Sequence, residues 1–360
     1  MERQAGPAIY ALTAQGVELA LRLRAGLGGV CFAPRALAEK AEQGVQGFDS
    51  LPLLVKEQLS RFGGHIFIAA AGIAVRCIAP LLTHKAVDAA VVVLDHKGEY
   101  VISLLSGHLG GANELARQVA AVTGGRAVIT TATDTEGLPA VDLLALRAGL
   151  HVRNPIAIRA ANAALLAGKK VGLHDPEGWL RSRLTDPERE YFYILADDAA
   201  LAAFCATDAA PYVRVTFSAA AQPDNCLALI PPALGLGIGC RKGVAAREVL
   251  DLVHKVCAEN DLALEAVNCL ASADIKAEEA GLVEAARILG VPLLTFSAAE
   301  LAAYPPRQVS PKAAAALGLP GVCEPAARCA SKGGSLLVGK QTSGRVTLAV
   351  AKQDPARSGQ

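Results

Sequence analysis

The 360-residue sequence is poor in aromatic side chains, at 4%, and holds one Met and one Trp. Stacking platforms for single-stranded nucleic acid are therefore scarce. It also lacks a charge of one sign: 35 Lys and Arg face 34 Asp and Glu, a net charge of +1. No broad basic field is present to hold a polyanion, so nucleic acid is not expected as a partner; a local basic patch could still take a small anion. Charged residues make up only 19% against 52% hydrophobic ones, with a mean hydropathy of +0.34. That balance excludes wholesale disorder. Long hydrophobic runs are missing too. A spanning helix needs about 20 nearly uncharged apolar residues. The run from Ile66 meets Arg76 and Pro80, and the run Cys226 to Cys240 is broken by Pro231, Pro232 and three glycines. No membrane association is expected. Much of the apolarity is alanine, a helix former.

Other absences narrow the chemistry. None of the nine cysteines forms a Cys-x-x-Cys pair; the nearest two, Cys323 and Cys329, are six apart with no histidine after them. A structural zinc site is not expected, and the thiols read as reduced, small core residues. There is no Gly-x-Ser-x-Gly elbow and no His-Glu-x-x-His zinc motif. Met1 to Pro7 lacks the charged-then-apolar pattern of a secretory signal, so a cytoplasmic location is expected.

What is present is an alternation of apolar strand-like runs with helical periodicity. Ala89 to Leu94 is a continuous apolar run, as expected for a strand covered on both faces. Asp95 to Gly98 turns the chain, and Tyr100 to Leu105 runs back as a hairpin partner. Length and pattern together predict an α/β fold: two α/β layered domains with mostly parallel sheets flanking a smaller, less regular middle region. The boundaries read as 1–136, 137–232 and 233–352, with a tail at 353–360. The last domain ends in a hairpin around Ser343 and Gly344.

Four constellations stand at strand-to-helix turns, where open α/β sheets bind ligands. The densest is Ser106-Gly107-His108-Leu109-Gly110-Gly111-Ala112-Asn113-Glu114. Its glycines let backbone amides approach an anion, His108 can transfer protons near neutral pH, Ser106 can donate to an oxyanion, and Glu114 can orient a neighbour. The competing reading is a tight turn capped by Asn113 or Ser106. The second is Thr131-Ala132-Thr133-Asp134-Thr135-Glu136. Asp134 or Glu136 could act as a base or position His108, or Asp134 or Thr135 could merely cap a helix before Leu138. Gly72 and Arg76 form the third, with Arg76 suited to a carboxylate; His84-Lys85 beyond it reads as a solvated turn. The fourth is Gly235-Leu236-Gly237-Ile238-Gly239-Cys240-Arg241-Lys242-Gly243. It matches neither the dinucleotide fingerprint nor a Walker loop. Arg241 and Lys242 oppose a helix dipole there, which favours an anionic ligand.

These motifs together resemble one family. Ala69 to Arg76, Ile78-Ala79-Pro80, Leu105 to Asn113 and Thr131 to Asp134 look like the N-terminal part of CbiG, the cobalt-precorrin-5A hydrolase of anaerobic cobalamin synthesis. Gly237 to Gly243, then Lys276, Glu279 and Gly281, then Val322 to Ala327, are similar to its CobE-like C-terminal part. The resemblance is weakest between Gly149 and Pro232. It implies a cobalt-bearing tetrapyrrole substrate whose δ-lactone is opened by water, with release of acetaldehyde to give cobalt-precorrin-5B. It implies no cofactor and no metal site of the protein's own, since the cobalt belongs to the substrate. His108, Asp134, Glu114 and Ser106 become the expected catalytic groups. Gly72, Arg76, Gly107, Gly110, Gly111, Asn113, Thr131, Thr133, Gly237, Gly239, Cys240, Arg241 and Lys242 become the expected substrate-binding groups. Other cobalamin-pathway enzymes are expected as partners, and a homodimer is left open. Two other readings stand beside it: a non-catalytic carrier of corrinoid intermediates, and a phosphosugar- or nucleotide-binding α/β enzyme.

Overall fold

A computed structural model describes residues 4–41, 44–83, 88–108, 110–207, 210–307 and 320–355. His84-Lys85, Leu109 of the glycine-rich motif and the end of the tail lie outside the described residues. The chain divides into two compact units, Met1–Leu143 and Leu144–Gln360.

The first unit is built on a seven-stranded sheet. Its strands are β1 (Ala8–Ala11), β2 (Val30–Pro34), β3 (Val45–Phe48), β4 (Gly64–Ile68), β5 (Ala90–Leu94), β6 (Tyr100–Leu105) and β7 (Arg126–Val128). Their spatial order is β3-β2-β1-β4-β5-β6-β7. All five residues of β5 are buried, because helices cover both faces. Helices Ala14–Leu27 and Ala112–Thr123 close one face over Ile9, Ile66 and Val92. Helices Leu51–Gln58 and Ala71–Ile78 close the other over Tyr10, Phe67 and Val93.

The hairpin expected from the sequence decides where the polar motifs fall. β5 and β6 pair antiparallel, with Val91 opposite Leu105 and Leu94 opposite Val101; β7 runs parallel to β6. The carboxyl ends of β6 and β7 therefore emerge at the edge where β4 and β5 begin. The chain leaves β4 towards Gly72 at the opposite edge.

In the second unit, β8 (His151–Val152), β9 (Val171–His174), β10 (Phe192–Leu195), β11 (Tyr212–Val215) and β12 (Cys226–Ile230) form a sheet of order β10-β9-β11-β12-β8. Only β8 is antiparallel. β12 lies between the two proline-marked breaks of the sequence and is fully buried. The last sheet has β13 (Leu234–Cys240), β14 (Val267–Ala273), β15 (Leu293–Phe296), β16 (Ser335–Ser343) and β17 (Val346–Lys352) in the order β15-β14-β13-β17-β16.

The glycine run of the last third is part of this sheet. Gly235, Gly237 and Gly239 belong to central strand β13, and the turn before helix Ala246–Glu259 starts only at Arg241. A Cβ on Gly237 would overlap the Cys323 carbonyl oxygen and the Ala327 nitrogen, and one on Gly235 would stand 3.0 Å from Ala330 Cβ. These glycines let helix Cys323–Ala330 sit against the strand. Among the described residues, no helix is long and apolar enough to cross a membrane.

Candidate active site

The loop after β6 is shaped by close backbone packing. Ser106 adopts φ 58°, a left-handed conformation unusual for a residue with a Cβ. A Cβ on Gly107 would stand 2.7 Å from Asn113 Oδ1, and one on Gly110 would overlap Ser106 Cβ. The Gly111 amide donates to the His108 carbonyl at 2.8 Å, and the Ala112 and Asn113 amides donate to Ser106 and Gly107 carbonyls at 3.0 Å. The Gly111 amide is thus taken up in shaping the turn rather than pointing at a ligand. The Ser106 hydroxyl is buried and has no hydrogen-bond partner among the described residues.

This turn presents His108 between two carboxylates. Its Nδ1 lies 3.2 Å from Asp142 Oδ2 and its Nε2 lies 3.0 Å from Asp134 Oδ2. Thr133 Oγ1 is 3.2 Å from the same Nε2. The three side chains are only 14%, 5% and 11% exposed for His108, Asp142 and Asp134. The hydrogen bond to Asp142 raises the His108 pKa above the ordinary imidazole value, with Asp134 adding to it and burial opposing. His108 therefore stays protonated to higher pH than a free imidazole.

Asp134 is held from three sides. Asn113 Nδ2 donates to its Oδ2 at 2.9 Å and Arg117 donates to its Oδ1 at 2.5 Å. Asn113, buried in the first turn of its helix, also donates to Thr131 Oγ1 at 3.1 Å and accepts from Ser103 Oγ at 2.6 Å. Thus His108, Asn113, Thr131, Thr133 and Asp134, read from two separate motifs, converge because β6 and β7 are parallel neighbours. Asp142, Arg117 and Ser103 complete the cluster and were not singled out in the sequence.

Three expected residues of the first unit stand apart from this cluster. Glu114 is turned to Gln118 at 3.2 Å and Arg117 at 3.6 Å, so it reaches the cluster only through Arg117. Gly72 opens helix Ala71–Ile78 at the other sheet edge, and Arg76 folds back on the Gly72 carbonyl at 3.2 Å.

The C-terminal loop lines a second feature, a cleft of about 1060 Å³ bounded by Gly239, Cys240, Arg241, Lys242, Lys276 and Arg345 among others. Arg241 and Lys242 are exposed at its rim. Glu279 accepts from Lys276 Nζ at 2.8 Å and from the Gly243 amide at 2.7 Å, which fixes the turn. Those contacts, led by Lys276, lower the Glu279 pKa. Burial pushes the Cys240 thiol up, so it is a packed wall of the cleft rather than an activated nucleophile. Among the described residues, no group of three or more His, Cys, Asp or Glu side chains is placed to hold a metal ion.

Comparison with known proteins gives this arrangement a family. Models described as cobalamin synthesis G N-terminal, cobalamin biosynthesis central region and cobalamin synthesis G C-terminus match residues 54–134, 139–231 and 234–351. A cobalt-precorrin-5A hydrolase of Priestia megaterium is 32% identical over 356 residues, covering 96% of this chain and 94% of that protein. A cobalt-precorrin-5A hydrolase of Salmonella typhimurium is 35% identical over 299 residues, 82% of each chain. Protein CobE of a Sinorhizobium species is 35% identical over 121 residues, 33% of this chain and 79% of that one. The chain belongs to the cobalamin synthesis G, or CbiG, family.

Proposed function

We propose that the chain is a cobalt-precorrin-5A hydrolase: it opens the δ-lactone of a cobalt-bearing tetrapyrrole and releases acetaldehyde, with His108 and Asp134 moving the protons. Likeness over nearly the full length to proteins of that name supports the reaction. The observation that carries the residue assignment is the His108 ring held between Asp142 and Asp134.

Lactone opening needs a proton acceptor for water and a proton donor for the departing alkoxide. Asp134 Oδ2 takes a proton from the attacking water. Protonated His108 gives its Nε2 proton to the alkoxide oxygen as the acyl–oxygen bond breaks. The roles then reverse. Neutral His108 takes the proton of the freed hydroxyl, the carbon–carbon bond breaks, its electron pair passes into the macrocycle, and Asp134 returns its proton to the ring carbon. Acetaldehyde departs and both groups regain their starting states. Asp142 stays on Nδ1 throughout and fixes the ring. Ser106, with its unpartnered hydroxyl, meets the developing oxyanion. Arg241 and Lys242, exposed at the rim of the C-terminal cleft, have the charge to take carboxylate groups there.

Incubation of the protein with the cobalt lactone intermediate, with acetaldehyde assayed over time, tests this reading. Catalytic release of stoichiometric acetaldehyde is expected. Tight binding of the lactone with no acetaldehyde above the uncatalysed rate would instead identify a carrier.

A further inference from the structure

The middle sheet has a topological switch point that the chemistry above does not use. The chain runs from β9 outward to β10, then returns to β11 on the other side of β9. In open parallel sheets a crevice forms at such a point, beyond the carboxyl ends of the strands. His174 is the last residue of β9, and Arg214 of β11 is its register partner, so both side chains leave the same face. Helix Asp198–Thr207 covers that face, packing Leu201 and Phe204 on Tyr212.

His174 is 3% exposed, yet neither ring nitrogen has a hydrogen-bond partner among the described residues. The Arg214 Nε is buried and has no hydrogen-bond partner among the described residues either, while its Nη1 donates to Gln222 Oε1 at 3.4 Å. Asp198 comes only to 3.5 Å from His174 Nε2 and 3.9 Å from Arg214, and its side chain is 86% exposed. Unmatched buried polar groups are unfavourable, and here they sit side by side at the switch point. The neighbouring Asp175 offers no relief, because its carboxylate is filled by the amides of Gly178, Trp179, Leu180 and Arg181. Asp197 accepts from the Ala200 amide at 2.8 Å.

We propose that this crevice is a carboxylate-binding site, in which Arg214 and His174 each donate to one carboxylate while Asp198 turns outward. A planar monoanion matches one guanidinium edge and one imidazole N–H. Burial lowers the His174 pKa, so the ring is neutral and brings a donor without a second positive charge. With Arg214 as the cation and Asp198 beside it, a doubly charged phosphate is disfavoured. Either a carboxylate arm of a tetrapyrrole or a free organic acid has the required chemistry. The site stands whether or not the lactone reaction holds.

The test is an NMR titration of the full chain with labelled histidines, the His174 signal being assigned by its loss in His174→Gln. Succinate, a porphyrin bearing eight carboxylates, and inorganic phosphate are the probes. A carboxylate probe should shift the His174 signal saturably. Arg214→Gln should weaken that binding at least about tenfold, and Asp198→Asn, at an exposed position, should strengthen it by roughly two- to fivefold. A response to the porphyrin alone supports a macrocycle arm as ligand; a response to succinate supports a free acid. The proposal is overturned if neither carboxylate moves the signal, if phosphate binds more tightly than both, or if Asp198→Asn leaves binding unchanged.

Discussion

Asp142→Asn is the sharpest probe of the His108 cluster, because it keeps the size and a hydrogen-bond acceptor while removing the charge on Nδ1. Both side chains are largely buried, at 14% and 5% exposure, so solvent screens the pair weakly. A hydrogen bond to a charged group contributes about 1.5–3 kcal/mol. Its loss should lower the unfolding midpoint of the first unit by roughly 3–12 °C for a domain of this size. The effect has a direction in pH. The folded pKa of His108 is raised, chiefly by Asp142, so the stabilisation is complete below the unfolded imidazole value of about 6.5 and is lost as pH rises through the folded value. Wild type and variant should therefore differ most below about pH 6.5 and converge at high pH. Calorimetry of the full chain across that range, with a histidine NMR titration, measures both. A midpoint unchanged at low pH, or a gap that widens with rising pH, would refute a charged His108–Asp142 pair.

Two substitutions separate packing from chemistry. Gly237→Ala should destabilise the C-terminal sheet by about 1–3 kcal/mol or more, because its Cβ overlaps the backbone of helix Cys323–Ala330; thermal unfolding reads it, and an unchanged midpoint would remove the strand-packing role. Ser106→Gly should behave oppositely in stability. It relieves a left-handed φ of 58° and should raise stability by about 1 kcal/mol, while loss of the hydroxyl slows acetaldehyde release by about 10²-fold if Ser106 meets the oxyanion.

The sequence made β5 and β6 readable as a hairpin, because a continuous apolar run, a four-residue turn and a second run leave few alternatives. It also brought His108 and Asp134 into one hypothesis from motifs 26 residues apart. The consequence of that hairpin was harder to see. Reversal at Asp95 to Gly98 sends Ser106 and Thr131 to one sheet edge and leaves Gly72 at the other, so strand-to-helix turns that look alike in sequence do not share a site. Asp142 stayed hidden because it sits in helix Val141–Arg147, in an apolar pattern where one acid reads as surface; only tertiary packing turns it onto His108. The alternating glycines of β13 illustrate the same limit. Glycine spacing cannot distinguish a loop around an anion from a strand that accepts a helix, and here the neighbouring backbone decides for the strand.

Acetaldehyde release from the cobalt lactone, measured in parallel for wild type and His108→Ala, tests the central assignment most directly. Wild type should release one equivalent per substrate, and the variant should bind the lactone but release acetaldehyde at least about 10²-fold more slowly. Full release at the wild-type rate by His108→Ala would contradict the account.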